Sequence, residues 1–505
     1  MHARTKNILL LIILLVISLP LLQEYVLHIP EKPLEGVFAD EERPVLTYSS
    51  WMDEQFQAIS EIWVKARTGF HPSLIRLNNQ MNYTLFHKPR SQGVTRGKGG
   101  QLYEYDYIRA WMGKDYVGEE FFDRRLHKFS FLQKYLKDSL DIDLVLVLEP
   151  GKASVYPEDI PDRFRKEYTG KSNYSYICQK SDELGIQHID FNRYFIDIKD
   201  TSPYPVLPPQ GTHWSEFMAL KVADSLLRYI EFLRGIEIPD IIIDSVVTSH
   251  ELKGTDDDIS KSMNLMFTLE HPPMPYPVYH FEKIPGSVKP KVLTLADSYY
   301  WNIYHSRIPD SLYAENAFWY FYEHVFHDSI EDKGKVWEVN VRKAVEAQDV
   351  IFLMMTERFC FKFDRGFVDD LYSFYGMPSD IDRIDRYMTS IVRDDEWFDR
   401  LLEEAERTGE SPGKRMEREA YFLLRQDDPE AYYSLQGWAP IIDEITNDEA
   451  WLAGVQQRAK ESGQSLEERL QIEAEYTLNQ RYPRALERYK TNLVVKESTS
   501  SDNSK

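Results

Sequence analysis

The sequence predicts an α/β protein whose mostly parallel sheet carries helices on both faces. Two observations lead to this class. Short apolar runs of strand length alternate with helical stretches between residues 143 and 354, which is the pattern of parallel strands joined by helices. From about residue 379 the chain becomes highly charged and has few strand signals. That change predicts a helical C-terminal region added to the α/β fold.

The individual elements follow from hydrophobic period and from turn residues. Apolar runs that end in polar or turn-forming residues predict four buried strands, at 143–148, 186–191, 291–295 and 350–354. Helical spacing predicts four helices, at 51–66, 119–140, 174–184 and 215–233. The last of them is strongly amphipathic through Phe217, Leu220, Val222, Leu226 and Ile230. The aromatic stretch 318–326 is expected to be a core helix.

Composition and charge exclude several classes of partner. The 505 residues are 43% hydrophobic and 28% charged, as in ordinary globular proteins. The net charge of −22 repels phosphate backbones, so nucleic acid is excluded as a partner and a polysaccharide is not. Only Cys178 and Cys360 are present, without a CxxC motif, which excludes a thiolate zinc site. The two cysteines either pair in an oxidising compartment or leave Cys360 as a buried free thiol.

The N-terminus has the pattern of a signal anchor or signal peptide over residues 1–22. Arg4 and Lys6 precede the run 8–22, which is apolar apart from Ser18, and a basic flank before such a run directs insertion into a membrane. No small-x-small cleavage site follows, which favours an uncleaved anchor, with cleavage as the alternative. The chain from Glu24 onward is therefore expected outside the cytoplasm, beginning with a Pro-rich linker over residues 23–47.

The C-terminal region, residues 379–490, contains an internal repeat with a period of 54 residues. Eleven identities occur in 36 aligned positions, among them Trp397 with Trp451 and Gly409 with Gly463. Each copy is expected to be two helices joined around the glycine, with the tryptophan packed between them. A helical appendage and a partner-docking module both fit this pattern. Residues 491–505 are expected to be a disordered tail.

Two short segments could carry chemistry. Ser298 follows the apolar strand 291–295, and a nucleophilic serine at the carboxyl end of a strand faces a crevice. The turn after it supplies backbone N–H groups that can hold an oxyanion. His213 lies in a loop just before the amphipathic helix, where it can act as a general base, and Trp214 beside it is a candidate pocket wall. Taken singly, the serine also fits a helix N-cap and the histidine a structural role.

Taken together, these segments resemble the alginate O-acetyltransferase (AlgX/AlgJ-like) branch of the SGNH hydrolases. The segments that carry the resemblance are Ala-Asp-Ser at 296–298, Thr-His-Trp-Ser at 212–215, the run 149–161, and the early segments 70–86 and 96–103. The resemblance covers roughly residues 48–375. The histidine precedes the serine, as in this branch, whereas ordinary SGNH esterases have the serine first. The resemblance implies a three-layer SGNH-like domain over these residues.

Residue by residue, the resemblance implies that Ser298 is the nucleophile and His213 the general base. Members of the branch carry an aspartate two residues before the histidine, and here that position is Gly211. Another carboxylate must then orient the imidazole, or a dyad suffices, or activity is weak or lost. The candidate acids are Asp190, Asp197 and Asp200 in the preceding segment, with Glu357 more distant in the sequence.

The surroundings of the serine can also be predicted. Asp297 is expected to hold the turn, and the backbone N–H of Ser298 is the default oxyanion donor. Asn302 and Arg307 are further candidate donors, and Glu357 is a candidate for the pocket rim. No cofactor or metal is expected, because no Walker-type, GxGxxG or HExxH motif occurs. The acidic run 256–258 is expected to be a solvated turn.

The function implied by the resemblance is transfer of acetyl groups to hydroxyls of a cell-envelope or exported polysaccharide through an acyl-serine. A membrane-bound O-acyltransferase is the implied acetyl supplier. The implied location is the periplasm or another extracytoplasmic space, with the chain anchored to the inner membrane. A carbohydrate acetylesterase of the same fold and a non-catalytic glycan-binding scaffold are the alternatives. The acceptor sugar, the acyl donor and the oligomeric state do not follow from the sequence.

Overall fold

A computed structural model describes residues 3–36 and 43–502. The predicted α/β class is confirmed by a six-stranded sheet with the order β4-β3-β10-β7-β8-β9. Two two-stranded antiparallel pairs, β1 with β2 and β5 with β6, accompany it. The strands of the described chain are β1 (Val94–Arg96), β2 (Leu102–Glu104), β3 (Asp143–Glu149), β4 (His188–Asp190), β5 (Asp240–Ser249), β6 (Met274–Glu282), β7 (Lys291–Ala296), β8 (Glu315–Tyr320), β9 (His324–His327) and β10 (Val350–Thr356).

The central sheet is parallel except at one edge. Strands β4, β3, β10, β7 and β8 run parallel, and β9 pairs antiparallel with β8. Successive side chains of β3 enter different cores: Leu144, Leu146 and Leu148 face one, and Val145 and Val147 face the other. A sheet buried on both faces explains why its strands are nearly continuous apolar runs.

Helices cover both faces of this sheet and form the N-terminal segment. The N-terminal helices are α1 (Ala3–Leu22), α2 (Tyr48–Met52), α3 (Gln55–Ala66) and α4 (His71–Phe86). The helices between there and residue 375 are α5 (Tyr105–Met112), α6 (Glu119–Leu140), α7 (Lys152–Val155), α8 (Asp162–Arg165), α9 (Asn173–Leu184), α10 (Phe191–Ile198), α11 (Glu216–Arg234), α12 (Asp258–Ser262), α13 (Tyr300–His305), α14 (Ile308–Leu312), α15 (Val341–Glu346) and α16 (Phe367–Tyr375).

The prediction of a core helix over 318–326 is wrong. This stretch forms the end of β8, a tight turn and most of β9. In the turn, Phe321 and Tyr322 both adopt left-handed backbone, with φ of 56° and 54°, which is uncommon for residues with a side chain. The aromatic content fits a helix or a strand equally, and pairing of β8 with β7 decides for the strand.

The helix α1 contains the apolar N-terminal run. The segment Arg4–Leu27 is the one helix in the described residues that is long and apolar enough to cross a membrane, and its most apolar stretch of 18 residues is not buried against the protein. Residues after it are attached to the folded domain, because Glu31 accepts hydrogen bonds from Ser73 and Asn264 bonds to the backbone of Glu35. Cys178 and Cys360 are both free thiols.

The C-terminal region is helical, and the two repeat copies have equivalent bounds. Its helices are α17 (Asp380–Arg393), α18 (Asp395–Thr408), α19 (Pro412–Asp427), α20 (Pro429–Gln436), α21 (Ala439–Asn447), α22 (Glu449–Ser462), α23 (Leu466–Arg481) and α24 (Pro483–Asp502). Trp397 and Trp451 are both half-buried. Gly409 and Gly463 end their helices in the left-handed conformation. The expected disordered tail differs from the structure, because residues 491–502 continue helix α24; residues 503–505 of that tail lie outside the described residues.

The first repeat copy shares its core with the α/β sheet. Ile384, Met388, Phe398 and Leu424 belong to the same apolar cluster as the side chains on one face of β3. A buried ion cluster joins α6 to this region, since Lys128 Nζ lies 2.8 Å from Asp385 Oδ2 and also contacts Asp369 and Asp382. The second copy has a small core of its own.

Candidate active site

The sheet places Ser298 at the carboxyl end of its central region. Strand β7 ends at Ala296, and Ser298 stands in the turn before α13. The loop before α11 brings His213 to the same edge, so that His213 Nε2 lies 2.9 Å from Ser298 Oγ. The two residues are 85 positions apart in the chain. At this distance the imidazole can take the serine proton directly.

The second ring nitrogen of His213 contacts Asp258. The distance from Nδ1 to Asp258 Oδ2 is 2.7 Å. A carboxylate only accepts hydrogen bonds, so Nδ1 carries the proton and Nε2 is free to accept the one from Ser298. Ser298, His213 and Asp258 thus form a hydrogen-bonded triad in the order that nucleophilic catalysis requires.

Another carboxylate contacts the imidazole, as the sequence predicts, but it is none of the candidate acids. Asp258 belongs to the run that was expected to be a solvated turn, yet it begins α12 and binds the histidine. Asp190 accepts from the Tyr174 hydroxyl and caps α10, and Asp197 pairs with exposed Arg193. Asp200 is exposed after α10. These three aspartates lie close to His213 in the sequence. They belong to α10 or to its two ends, however, and none of them is in the loop that carries His213.

Gly211 has a steric reason to lack a side chain. A Cβ there would lie 2.4 Å from the carbonyl oxygen of Thr255 and 2.9 Å from the backbone of Asp256. Backbone atoms at such distances cannot yield without moving the segment 255–258, which carries the triad acid. An aspartate at position 211 and this path of the chain are therefore mutually exclusive. The glycine is the sequence signal for the displaced acid.

The segment between α11 and β7 carries Asp258 to the site. Residues 235–290, between α11 and β7, form the hairpin of β5 and β6 with α12 in its connection. The Asp258 carboxylate also accepts from the backbone N–H of Thr212 at 2.8 Å. One carboxylate therefore holds both the imidazole and the peptide next to it.

A buried lysine holds the loop before His213. Lys152 Nζ donates to the carbonyl oxygens of Pro208, Pro209 and Gly211 at 2.8, 3.0 and 2.7 Å. Its side chain is fully buried, and burial lowers the pKa of Lys152 to about 7. Three carbonyls match the three donors of an ammonium group, so this one side chain restrains three peptides of the loop.

Thr212 is restrained from two further sides. The buried Tyr299 hydroxyl donates to its carbonyl oxygen at 2.6 Å, and its own hydroxyl donates to Glu104 Oε2 at 3.0 Å. Glu104 is paired with Arg358, whose guanidinium lies over the Tyr107 ring. Thr212 is thus fixed by Glu104 at the end of β2 and by Tyr299 in the turn after β7, which orients the imidazole of the next residue.

Asp297 holds the turn of the serine, as expected. Its carboxylate accepts from the N–H and hydroxyl of Thr356 at 2.8 and 2.7 Å, and from the N–H of Tyr299 at 3.0 Å. The end of β7 is thereby tied to the end of β10. Glu149, at the end of β3, is fully buried, and its burial together with the charge of Asp297 holds its pKa well above the usual range.

The candidate oxyanion donors differ in whether they are free to donate and whether they lie at the cavity. Among the described residues the N–H of Ser298 has no acceptor, whereas that of Tyr299 is used by Asp297. Asn302 lines the cavity in front of the serine, and its Nδ2 lies 2.9 Å from Thr255 Oγ1. Arg307 is exposed and pairs with Asp310 at 2.6 Å, outside that cavity. The N–H of Ser298 and the Asn302 amide remain the available donors.

Two expected pocket residues lie behind the site. Trp214 is fully buried and packs edge-on against Tyr299, with ring centroids 5.0 Å apart. Glu357 is buried and accepts from Ser154 at 2.8 Å, and burial raises the pKa of Glu357 to about 7. Neither lines the cavity of Ser298. Both side chains support the site from within the core and do not form its surface.

Ser298 and His213 open into a cavity of about 660 Å³. Its wall contains Tyr279 from β6, and Trp301 and His305 from α13, with the last two rings stacked at 4.9 Å. A cleft of this size admits a small molecule or a segment of a chain. Within the described residues no group of three or more histidine, cysteine or acidic side chains could hold a metal ion.

Fold and site together define an α/β protein with a serine–histidine–aspartate triad at the carboxyl edge of its parallel sheet. No protein-family model matches the chain, and no curated protein sequence matches it. Solved structures resemble part of it, and three of them are named here. They are the O-acetyltransferase domain of Pseudomonas putida AlgJ, at 15% identity and a TM-score of 0.35, AlgX of Pseudomonas aeruginosa, at 12% and 0.36, and PatB1 of Bacillus cereus, at 9% and 0.30.

These similarities cover about half of the chain. The shares of this chain are 53%, 55% and 48%, and the shares of the AlgJ, AlgX and PatB1 chains are 92%, 67% and 93%.

Proposed function

We propose that the protein transfers acetyl groups, through an acyl-Ser298 intermediate, to hydroxyl groups of a carbohydrate outside the cytoplasm. The observation that carries this proposal is the unbroken hydrogen-bonded series from Asp258 through His213 to Ser298, at the mouth of an open cavity. A serine without such a base is a poor nucleophile at neutral pH.

The geometry supports a two-step mechanism. His213 Nε2 removes the proton of Ser298 as Oγ attacks the acetyl carbonyl, and the imidazolium is stabilised by Asp258. The N–H of Ser298 faces the developing oxyanion, with the Asn302 amide as the second candidate donor. The tetrahedral adduct expels the donor's alcohol, which receives the proton from His213.

In the second step an acceptor hydroxyl enters the cavity. His213 removes its proton, and the oxygen attacks the acetyl carbon of acyl-Ser298. Collapse of this adduct breaks the bond to Oγ, and Ser298 recovers a proton from His213. Transfer prevails over hydrolysis only when the acceptor displaces water from the site. With water as acceptor the same residues make an acetylesterase.

The N-terminal helix supports an extracytoplasmic location. Its span Arg4–Leu27 has the length and apolarity of a membrane segment, and Arg4 and Lys6 lie before the apolar run. We expect the folded domain on the side opposite these charges, facing the cell envelope. A membrane-bound O-acyltransferase is the partner that would bring acetyl groups to Ser298 in this setting.

Loss of the serine tests the proposal directly. With p-nitrophenyl acetate as donor, the wild type should release p-nitrophenol and become acetylated on Ser298, detected by intact mass and peptide mapping. Ser298→Ala should lose both signals, and Ser306→Ala, which changes another serine of the same cavity, should keep them. Wild-type protein that neither releases p-nitrophenol nor acquires an acetyl group would favour the glycan-binding scaffold. Acetate release without transfer to any sugar would favour the esterase.

A further inference from the structure

The cavity of Ser298 contains an acidic side chain that the proposed mechanism does not use. Glu216 begins α11, three residues after His213, and lines the same cavity as Ser298 and Asn302. Burial raises the pKa of this carboxyl above its usual value, against an opposing effect of Lys253. It faces the space through which an acceptor must approach.

The wall of the cavity contains no lysine or arginine to balance this acid, among the described side chains that line it. Its two histidines are His213, which is the general base, and His305, whose pKa is lowered by burial. The ammonium group of Lys253 opposes the rise in the pKa of this acid, but it lies over the Tyr276 ring at 4.7 Å and is not part of the wall. The other nearby carboxyl, Asp256, is buried and accepts from the Tyr276 hydroxyl at 2.7 Å, with its pKa raised by burial to about 7.

The rest of the wall suits an uncharged ring. The rings of Trp301 and His305 are stacked with an angle of 25° between their planes. The Tyr279 hydroxyl donates a hydrogen bond to the Ser306 carbonyl oxygen at 3.0 Å. Aromatic side chains offer broad apolar faces to sugar rings. A carboxylate in such a wall accepts hydrogen bonds from sugar hydroxyls, and these are stronger than neutral ones.

From this arrangement we infer that the acceptor is an uncharged glycan and not a polyuronate, and that Glu216 determines this specificity. The inference rests on the proposed function. A polyuronate brings one carboxylate per sugar, so its binding places like charges together in a partly desolvated site whose wall contains no lysine or arginine. Both the repulsion and the unpaired burial are unfavourable. Binding of an uncharged glycan involves neither the repulsion nor the unpaired buried charge.

Matched acceptors and charge variants test the inference. Acetyl transfer from p-nitrophenyl acetate is measured by mass spectrometry with neutral manno-oligosaccharides and with oligomannuronates of the same length. The wild type should acetylate the neutral acceptors at least about tenfold faster, which is the size of effect that one unfavourable charge contact can produce. Glu216→Lys should shrink this ratio, and Glu216→Gln should shrink it less. Glu237→Lys, an equal change of charge at an exposed position after α11, should leave it unchanged.

The outcomes separate the specificity from the activity. Equal or faster acetylation of oligomannuronates by the wild type would overturn the inference and leave the transferase intact. A ratio in Glu216→Lys equal to that of the wild type, in protein shown to be folded by circular dichroism and by its release of p-nitrophenol, would also overturn it. Transfer to neither acceptor would defeat the transferase proposal together with the inference.

Discussion

At the scale of single residues, the triad depends on one glycine and one aspartate that the chain places 47 positions apart. Asp258 supplies the carboxylate, and Gly211 leaves the space through which its segment passes. A substitution at either position acts on His213, although the two act differently. Asp258 fixes the tautomer of the imidazole, whereas Gly211, having no side chain, leaves room for the segment that carries Asp258.

We predict that Asp258→Asn lowers kcat for p-nitrophenyl acetate by about 10²–10⁴-fold, because an amide favours the wrong imidazole tautomer. Asp257→Asn is the matched control, since that neighbour pairs with Lys261 and not with His213. The double variant Gly211→Asp with Asp258→Ala should stay inactive, because the position of the acid common in the resembled branch has no room here. Recovery of activity in the double variant would contradict the steric argument.

At the scale of elements, the loop that carries His213 is held by groups from several parts of the fold. Lys152 binds three of its carbonyls, and Tyr299 and Glu104 bind Thr212. No one of these groups touches the reacting atoms. They influence the reaction only by holding the imidazole in position, so Lys152 is a positioning residue.

We predict that Lys152→Met lowers kcat by about tenfold or more with little change in KM, as expected when the base is displaced but the cavity is intact. Ordinary lysine releases its proton near pH 10.4, whereas burial brings the pKa of Lys152 to about 7. Between these values the unfolded chain binds one proton more than the folded one, so stability rises with pH there. The wild type should therefore gain unfolding free energy relative to Lys152→Met between about pH 7 and 10. Urea denaturation across this range measures the unfolding free energy of both proteins. If the two plots of unfolding free energy against pH are parallel, Lys152 does not titrate as a buried lysine.

At the scale of the whole molecule, the helical C-terminal region is not uniform in its attachment. The first repeat copy contributes Ile384, Met388 and Phe398 to the core beneath the sheet, and Asp385 joins the buried ion cluster of Lys128. The second copy packs mainly around its own core, with Ile445 and Val455 at its centre. The two copies therefore differ in what they support, although their helices have equivalent bounds.

We predict that removal of residues 437–505 leaves a folded protein that still releases p-nitrophenol, and that removal of residues 379–505 does not. The larger deletion exposes apolar side chains of the main core and removes the partners that Lys128 and Arg125 have in Asp385, and both losses are strongly destabilising. Soluble yield, thermal unfolding and esterase activity of the two truncations provide the test. Equal behaviour of the two would show that the first copy is dispensable.

The α/β class, the strand at 291–295 that ends near Ser298, and the loop with His213 could all be predicted from local sequence, because hydrophobic period and turn residues specify such elements. Comparison with the resembled branch also indicated that an acid is absent at Gly211. The folded chain alone reveals which carboxylate replaces it, that 318–326 pairs as strands, and that Trp214 and Glu357 lie behind the site. Each of these depends on which distant segments come together, as when 255–258 passes over Gly211. Contacts between residues far apart in the chain leave no local period to detect.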